Sequence, residues 1–332
     1  MSSQLSEYIN IGIIGFGNHA TKNVIRPLER NQQLELSSIL VRNVPKYRKM
    51  YPKYENLFTS DEGSFFDREK NDIVYILSPI STHYSFAKRA LDAGIHVWCE
   101  KPLTSNYLDS LDLVMTAARK KLFLGEIVAY LYHQQYETIK NLLLANTSNG
   151  QRLLGSAASF CIPSLEPSNI RLNASLSGGA LLDLGFYPLS IAVDLLGEPR
   201  RVFAAGYFSP ELGVDLSGAA LLDYGESSHF AQWAIGSSYR NEFEMSFSHQ
   251  RHFVERAFSK PPDLPTSIVT HVEASREQRI SMIKPDSQFE NLFAHFLSVI
   301  KKSDCNEAEM IANKSLVRAQ VIEQVGKQLR SN

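Results

Sequence analysis

Two short segments carry side chains suited to moving a proton. The first, Ser177-Gly178-Gly179-Ala180-Leu181-Leu182-Asp183-Leu184-Gly185-Phe186-Tyr187-Pro188, opens on a glycine pair and spaces a carboxylate and a phenol four residues apart. In a helix, Asp183 and Tyr187 share one face. The second, Ile95-His96-Val97-Trp98-Cys99, is strand-like and ends in Glu100-Lys101-Pro102, so it delivers an ammonium at a strand end. A phenol, a carboxylate and an ammonium suit hydride transfer to a carbonyl, where an acid must protonate the developing alkoxide. A phenol's ordinary pKa near 10 is high for that task, and a neighbouring ammonium lowers it by stabilising the phenolate. Lys101 would supply that charge and hydrogen-bond the carbonyl oxygen. Each residue also has a plainer reading: Tyr187 as a packed aromatic, Asp183 as a cap or ion-pair partner, Lys101 as a surface cation. Their joint occurrence favours chemistry.

A hydride donor needs a cradle, and the N-terminal segment has the form of one. Ile9 to Gly15 is an apolar run suited to a buried parallel strand. It leads into Gly15-Phe16-Gly17-Asn18-His19-Ala20, a match to G-x-G-x-x-G/A. Gly15 permits the tight turn, Gly17 lets backbone approach a pyrophosphate, and Ala20 lets the next helix, about 20–31, pack closely. That helix start offers N–H groups and a positive dipole end to phosphates. The second strand, about 34–41, ends at Val41-Arg42-Asn43. A carboxylate at this point accepts from the ribose hydroxyls of NAD, whereas a guanidinium pairs with the 2′-phosphate of NADP. Arg42 therefore points to NADP(H), against the plain reading of a solvated loop cation.

Strands and helices alternate through the first part of the chain. Asp72 to Leu77 reads as a strand stopped by Ser78-Pro79, His83 to Ala93 as a helix closed by Gly94, Ile95 to Cys99 as a strand, Leu108 to Lys121 as a helix and Leu122 to Ala129 as a strand. This pattern predicts a doubly wound parallel sheet, with ligands beyond the strand ends, where Ser78, Pro79, His83, Glu100 and Lys101 fall. From about Ser156 strand-like runs take over, at 157–162, 201–207, 219–223, 229–235, 242–247, 251–258 and 268–273. One helical interruption falls near 179–196, and helical periodicity returns over 287–302 and 308–329. The expected fold is α/β: a Rossmann domain over 1–125, then an α+β substrate-binding and oligomerisation domain over 126–332 built on a largely antiparallel open sheet.

Composition agrees with two domains. The chain has 332 residues, against about 150 per domain. Lys and Arg (34) nearly balance Asp and Glu (35), so no overall positive field draws the chain to nucleic acid or an anionic membrane. No apolar run is expected to reach the roughly 18 residues of a membrane span, and the first ten residues lack a signal peptide's order. Cys99, Cys161 and Cys305 are scattered and odd in number, which suggests reduced thiols in a cytoplasmic protein and no metal-ligand set.

These residues resemble the Gfo/Idh/MocA oxidoreductase family over essentially the whole chain. Gly15-Phe16-Gly17 with Ala20, Glu100-Lys101-Pro102, and Gly178-Gly179 through Asp183 to Tyr187 occur in family order and spacing. The resemblance implies that Lys101 is the catalytic cation and that the Lys101–Pro102 bond is cis. Many members carry His four residues after the aspartate, and Tyr187 at that position resembles the tyrosine branch. Within that branch the likeness is greatest to NDP-hexose 3-ketoreductases of deoxysugar biosynthesis, through Ala158–Pro163, Asn169-Ile170-Arg171 and Tyr239–Glu244. Two departures follow Glu126, where an expected Asn is Ile127 and an expected Pro is Gln134.

The resulting expectation is an NADP(H)-dependent enzyme reducing a sugar ketone, the 3-keto group of an NDP-deoxyhexose. Tyr187 would be the acid, and Lys101 its partner and carbonyl polariser. Asp183 would orient Lys101 or bind a sugar hydroxyl, and Arg171 would meet the substrate's phosphates. Gly15, Phe16, Gly17, Asn18, Ala20, Arg42, Ser78, Pro79, His83, Glu100 and Lys101 would line the cofactor. An NADP-dependent aldose or dihydrodiol dehydrogenase is the alternative enzyme, and a cofactor-sensing regulator the alternative from another class. A sensor needs no acid, so retention of Lys101, Asp183 and Tyr187 counts against it. The open sheet, and the family's habit, suggest a homodimer or homotetramer.

Overall fold

The computed structural model describes residues 8–331, which fall into two compact units. The first comprises the residues up to Ile127 together with Phe289–Leu316, and the second Val128–Gln288 with the residues from Val317 onward. The expected single boundary near 125 left everything after it in one domain. The structure instead returns Phe289–Leu316 to the first unit.

The first unit is built on six strands: β1 (Ile9–Ile14), β2 (Leu34–Leu40), β3 (Phe58–Thr59), β4 (Ile73–Ile76), β5 (His96–Glu100) and β6 (Leu124–Ile127). All pair in parallel in the order β3-β2-β1-β4-β5-β6. The chain reverses its winding between β1 and β4, so a crevice opens at their carboxyl ends. Ile11, Ile13, Ile73, Val74, Tyr75 and Ile76 are fully buried, as strands covered on both faces require. The helices of this part are α1 (Ile25–Arg30), α2 (Val44–Met50), α3 (Glu62–Phe65), α4 (His83–Asp92) and α5 (Tyr107–Lys120). In α4, Ala87, Ala90 and Leu91 form the stripe that packs on the sheet.

The second unit begins with α6 (Gln134–Ser148) and centres on α7 (Phe186–Leu196). The sheet beneath comprises β7 (Leu153–Ile162), β8 (Arg201–Ser209), β9 (Val214–Asp223), β10 (Ser228–Ile235), β11 (Arg240–Phe247), β12 (Gln250–Glu255), β13 (Thr266–Val272) and β14 (Glu277–Ile283). Its order is β14-β13-β12-β11-β7-β10-β9-β8, antiparallel throughout except for the β7–β10 pair. One face carries Ala158, Phe160, Trp233, Phe243, Met245 and Val254 into the core, where they meet Phe186, Leu189, Ile191 and Val193 of α7.

The stretch Ala174–Leu196 is long and apolar enough by composition to cross a bilayer, contrary to expectation, and two-thirds of its most apolar window is buried inside the unit. Its apolarity reflects a helix enclosed by core on nearly every side.

Two helices complete the chain, α8 (Gln288–Lys302) and α9 (Cys305–Ser331). Phe293 of α8 stacks on Trp98 with centroids 5.3 Å apart, and Phe296 meets Phe123 at 4.8 Å. These contacts seat α8 on the parallel sheet. Helix α9 gives its residues to Leu316 to the first unit and the rest to the second, where Val321, Ile322, Val325 and Leu329 enter the core.

Candidate active site

In the first unit the Gly15–Ala20 turn joins three strand ends. Gly15 donates from its amide to Leu40 O at 3.0 Å, and its φ is +89°. A side chain there would press on Leu77 O and Ser78 N, at 3.1 and 3.2 Å. Only glycine accepts both the angle and the approach. Gly17 faces open space, with no atom within 4 Å of where a Cβ would point, which is what close approach by a diphosphate needs. Ala20 is buried against the sheet, and Asn18 is exposed. The helix it opens starts with one wide turn over Ala20–Val24 before α1. The residues therefore fit a dinucleotide. Phe16 belongs to the core: its ring is buried among Tyr51, Tyr54 and Phe58 at 5.0–5.6 Å, so only its backbone lies at the turn.

Arg42 is exposed just beyond the carboxyl end of β2 and has no hydrogen-bond or carboxylate partner among the described residues. Glu100 is committed to structure: it accepts from Tyr75 at 2.7 Å and meets His19 Nε2 at 3.0 Å. Burial works to raise its carboxyl, but His19, Tyr75 and Lys101 outweigh burial and hold it below its ordinary value. His19, a variable position of the fingerprint, thereby ties the turn to the end of β5. Nothing in the motif spacing marks it for that role.

Lys101 follows β5 directly, half-buried, and its bond to Pro102 is cis. Three buried side chains fix the backbone beyond it. His83 Nδ1 lies 2.9 Å from Pro102 O, Glu126 accepts from the Leu103 amide at 2.7 Å, and Cys99 Sγ approaches Leu103 O at 3.6 Å. His83 Nε2 is also 2.9 Å from Ser78 O. Its ring, expected at the cofactor, instead bridges the β4 end to the Lys101 loop and is buried. Burial lowers its pKa, against the two backbone carbonyls, which act to raise it. Ser78 Oγ and Thr82 Oγ1 share a hydrogen bond at 2.7 Å, and Thr82 donates to Pro79 O, so Ser78 and Pro79 form a braced turn.

In the second unit the glycine pair, Asp183 and Tyr187 sit where α7 begins. Leu181–Gly185 forms a wide turn that runs into α7. Arg171 Nε donates to Asp183 Oδ2, and Asp183, as the main cause, raises the guanidinium's pKa with a smaller contribution from Tyr187. Arg171 was expected at the substrate's phosphates and Asp183 at Lys101 or a sugar hydroxyl. Within this unit the two are paired with each other, beside Tyr187.

Tyr187 is half-buried in an aromatic wall, its ring 5.1 Å from Phe160, 5.5 Å from Phe258 and 6.1 Å from Tyr130. Ser190 donates to Tyr187 O at 2.9 Å, which leaves Tyr130 to donate to Ser190 at 2.8 Å. These contacts hold the helix turn that carries the phenol.

Asp215, on β9, is the residue here that motif reading missed. Its buried carboxylate accepts from the Leu181 amide at 2.7 Å and from Trp233 Nε1 at 3.2 Å. It lies against Gly179, whose φ is +117° and where a Cβ would collide with Asp215 Oδ1. Gly178 is equally confined by the Arg171 and Asn173 carbonyls. The glycine pair is thus required by the Arg171 loop on one side and by Asp215 on the other. Burial raises Asp215 to about 6. No group of three or more His, Cys, Asp or Glu residues placed to hold a metal ion occurs among the described residues.

The braced fingerprint turn, and the helix start that carries Asp183 and Tyr187, fit a dinucleotide-dependent oxidoreductase. Residues 9–127 match the model of the Gfo/Idh/MocA oxidoreductase family with its NAD-binding Rossmann fold, and residues 151–251 match that family's C-terminal domain. A dTDP-3,4-didehydro-2,6-dideoxy-alpha-D-glucose 3-reductase of Streptomyces violaceoruber is 32% identical over 76% of this chain and 74% of its own length. The scyllo-inositol 2-dehydrogenase (NADP(+)) of Bacillus subtilis is 25% identical over 97% of both. Among solved structures, a 3-ketoreductase from Actinomadura kijaniata in complex with NADP and TDP-benzene aligns at a TM-score of 0.89, with 24% identity over 97% of this chain and 98% of that one. The chain belongs to the Gfo/Idh/MocA oxidoreductase family.

Proposed function

We propose that this protein uses NADPH to reduce the keto group of a sugar nucleotide, the 3-keto group of an NDP-linked deoxyhexose. The observation that carries the reading is the placement of the Tyr187 phenol in an aromatic wall beside the Arg171–Asp183 pair. The 3-reductase and 3-ketoreductase relatives support the substrate class. Bound NADPH would supply the hydride. Gly15, Gly17 and the backbone to Ala20 would hold its diphosphate, and the Arg42 guanidinium its 2′-phosphate.

In this reading Lys101 and Tyr187 act on one carbonyl oxygen. The ammonium polarises it, and the phenol gives its proton to the alkoxide as charge develops there. Asp183 keeps Arg171 in place beside the phenol. The aromatic wall excludes water from the transfer.

Purified protein mixed with NADPH and a panel of NDP-keto-deoxysugars, followed at 340 nm, tests the proposal. Consumption of NADPH with nucleotide-linked ketones is expected, as is retained NADPH binding with most turnover lost in Tyr187→Phe. Undiminished turnover in that variant removes Tyr187 from the mechanism. A second reading, oxidation of a free polyol or aldose with NADP⁺, is favoured by the inositol dehydrogenase relative, and the same assay run with free sugars and diols selects it. Binding without turnover on either panel would favour a cofactor sensor. Free thiols at Cys99, Cys161 and Cys305 suit a reducing, cytoplasmic setting for any of these.

A further inference from the structure

The Tyr239–Glu244 stretch singled out in the sequence has no part in the chemistry above, yet the sheet brings it to the same end of the unit as Tyr187. β7 finishes there, β11 starts there and β12 finishes there. Phe160, near the end of β7, is 5.1 Å from Tyr187 and 6.4 Å from Tyr239. Both tyrosines thus contact the same ring. Resting on the reading of a nucleotide-linked substrate, we propose that Tyr239 and Arg256 bind the substrate's diphosphate.

Three observations lead to this pair. Arg256 follows β12 with φ +53°, a left-handed conformation that non-glycine residues adopt uncommonly and often at functional positions. Its guanidinium lies over the Tyr239 ring, 4.8 Å from the centroid, and Nη1 donates to Tyr239 Oη at 3.0 Å. The side chain is therefore held in one place while its residue remains exposed.

The second observation concerns protons. Tyr239 Oη also accepts from Asn241 Nδ2 at 3.1 Å. The orientation of that amide is fixed, because Asn241 Oδ1 accepts from the Phe258 amide at 2.9 Å and Nδ2 donates to Ser259 O at 2.9 Å. With both lone pairs of its oxygen engaged, Tyr239 still has its own O–H to donate. No protein acceptor takes it among the described residues. A phenolic donor beside an unspent guanidinium fork is a recognition pattern for phosphate oxygens.

The third is the state of the other cations at this end. Arg171 is paired with Asp183, and Arg240 with Glu242 and Gln232. Lys260 is buried and donates to Gln135 and Ala257 O, and burial lowers it to about 7. Arg256 has no carboxylate partner among the described residues, so the role first expected of Arg171 passes to it.

Titration calorimetry with dTDP and with thymidine, on the full chain carrying NADPH, tests the assignment. Arg256→Ala should weaken dTDP binding roughly ten- to a hundredfold. Thymidine and NADPH affinities should be unmoved, and the steady-state loss should appear in KM for the keto-sugar nucleotide. Arg256→Lys should recover part of the affinity, and Tyr239→Phe should weaken dTDP several-fold while keeping the ring. A dTDP affinity within about twofold of the unsubstituted protein in both Arg256→Ala and Tyr239→Phe overturns the proposal, as does an equal loss for thymidine. If the unsubstituted protein binds NADPH but no dTDP, the nucleotide-sugar reading itself falls and takes this assignment with it.

Discussion

Asp215 Oδ2 accepts from the Leu181 amide at 2.7 Å, so a carboxylate on β9 holds the first turn of the helix that carries Tyr187. The same oxygen takes the Trp233 indole N–H at 3.2 Å. Asp215→Ala leaves both donors buried without an acceptor, and should cost about 2–4 kcal/mol in urea unfolding. Asp215→Asn keeps an acceptor and should lose less. If the alanine variant unfolds at the same urea concentration as the unsubstituted protein, Asp215 does not hold this turn.

Titration of buried groups gives the stability a direction with pH. Burial, the largest cause in each case, lowers His96, His133 and His229 to about 4. Between that value and the ordinary 6.5 the unfolded chain binds these protons and the folded one does not. Their contribution is therefore present above pH 6.5 and lost as pH falls toward 4. Asp215 has the opposite sign: raised to about 6, it is protonated in the folded state first and adds stability as pH falls from 6 to below 4. Each proton is worth roughly 1.4 kcal/mol per pH unit, and three histidines outweigh one aspartate. Denaturant midpoints at pH 7, 6 and 5 should fall progressively. A flat or rising series would mean that these imidazoles titrate normally.

Much of this arrangement was legible in the sequence because β1 and β4 are largely apolar runs and the fingerprint turn places its glycines in the expected spacing. The core strands of the second unit could be read for the same reason, from alternation. Strand β14 could not: all but its last residue are exposed, so it has no inward face to betray its period. Helix α6 has only a weak apolar stripe, and α8 looked like any amphipathic helix, with nothing local to say that Phe293 seeks Trp98. In the site, spacing marked Lys101, Asp183 and Tyr187. It could not reveal that Arg171 turns to Asp183 or that His83 faces two backbone carbonyls, because those contacts depend on how the intervening loops fold back, which residue spacing does not fix.

Arg42 decides the choice between the two nicotinamide dinucleotides in this proposal. Its side chain is exposed beyond β2 with no protein partner among the described residues, so the protein gives up no existing ion pair when the 2′-phosphate binds. Arg42→Ala should weaken NADPH binding roughly ten- to a hundredfold while leaving NADH nearly unaffected. Arg42→Asp should shift the preference toward NADH, since a carboxylate repels the phosphate and accepts from the free ribose hydroxyls. Fluorescence titration with each cofactor reads both affinities. An unchanged preference in Arg42→Asp sinks the assignment of NADPH to this residue.

The outer face of the large sheet carries an apolar row that the fold leaves exposed. Phe203, Leu221 and Phe230 lie in direct register across β8, β9 and β10, each more than 40% exposed. Apolar residues aligned in this way on neighbouring strands make a contiguous patch, which marks an interaction surface more often than bare solvent. We expect a second copy of the chain to cover it, giving a dimer or tetramer. Replacing both Leu221 and Phe230 with Asp puts two charges at the middle of that contact, where burial without a partner is costly. Sedimentation at micromolar protein should show the unsubstituted chain as an oligomer and the double variant as a monomer with its far-ultraviolet dichroism intact. A monomeric unsubstituted chain, or an oligomer indifferent to the two charges, would assign this face to something other than self-association.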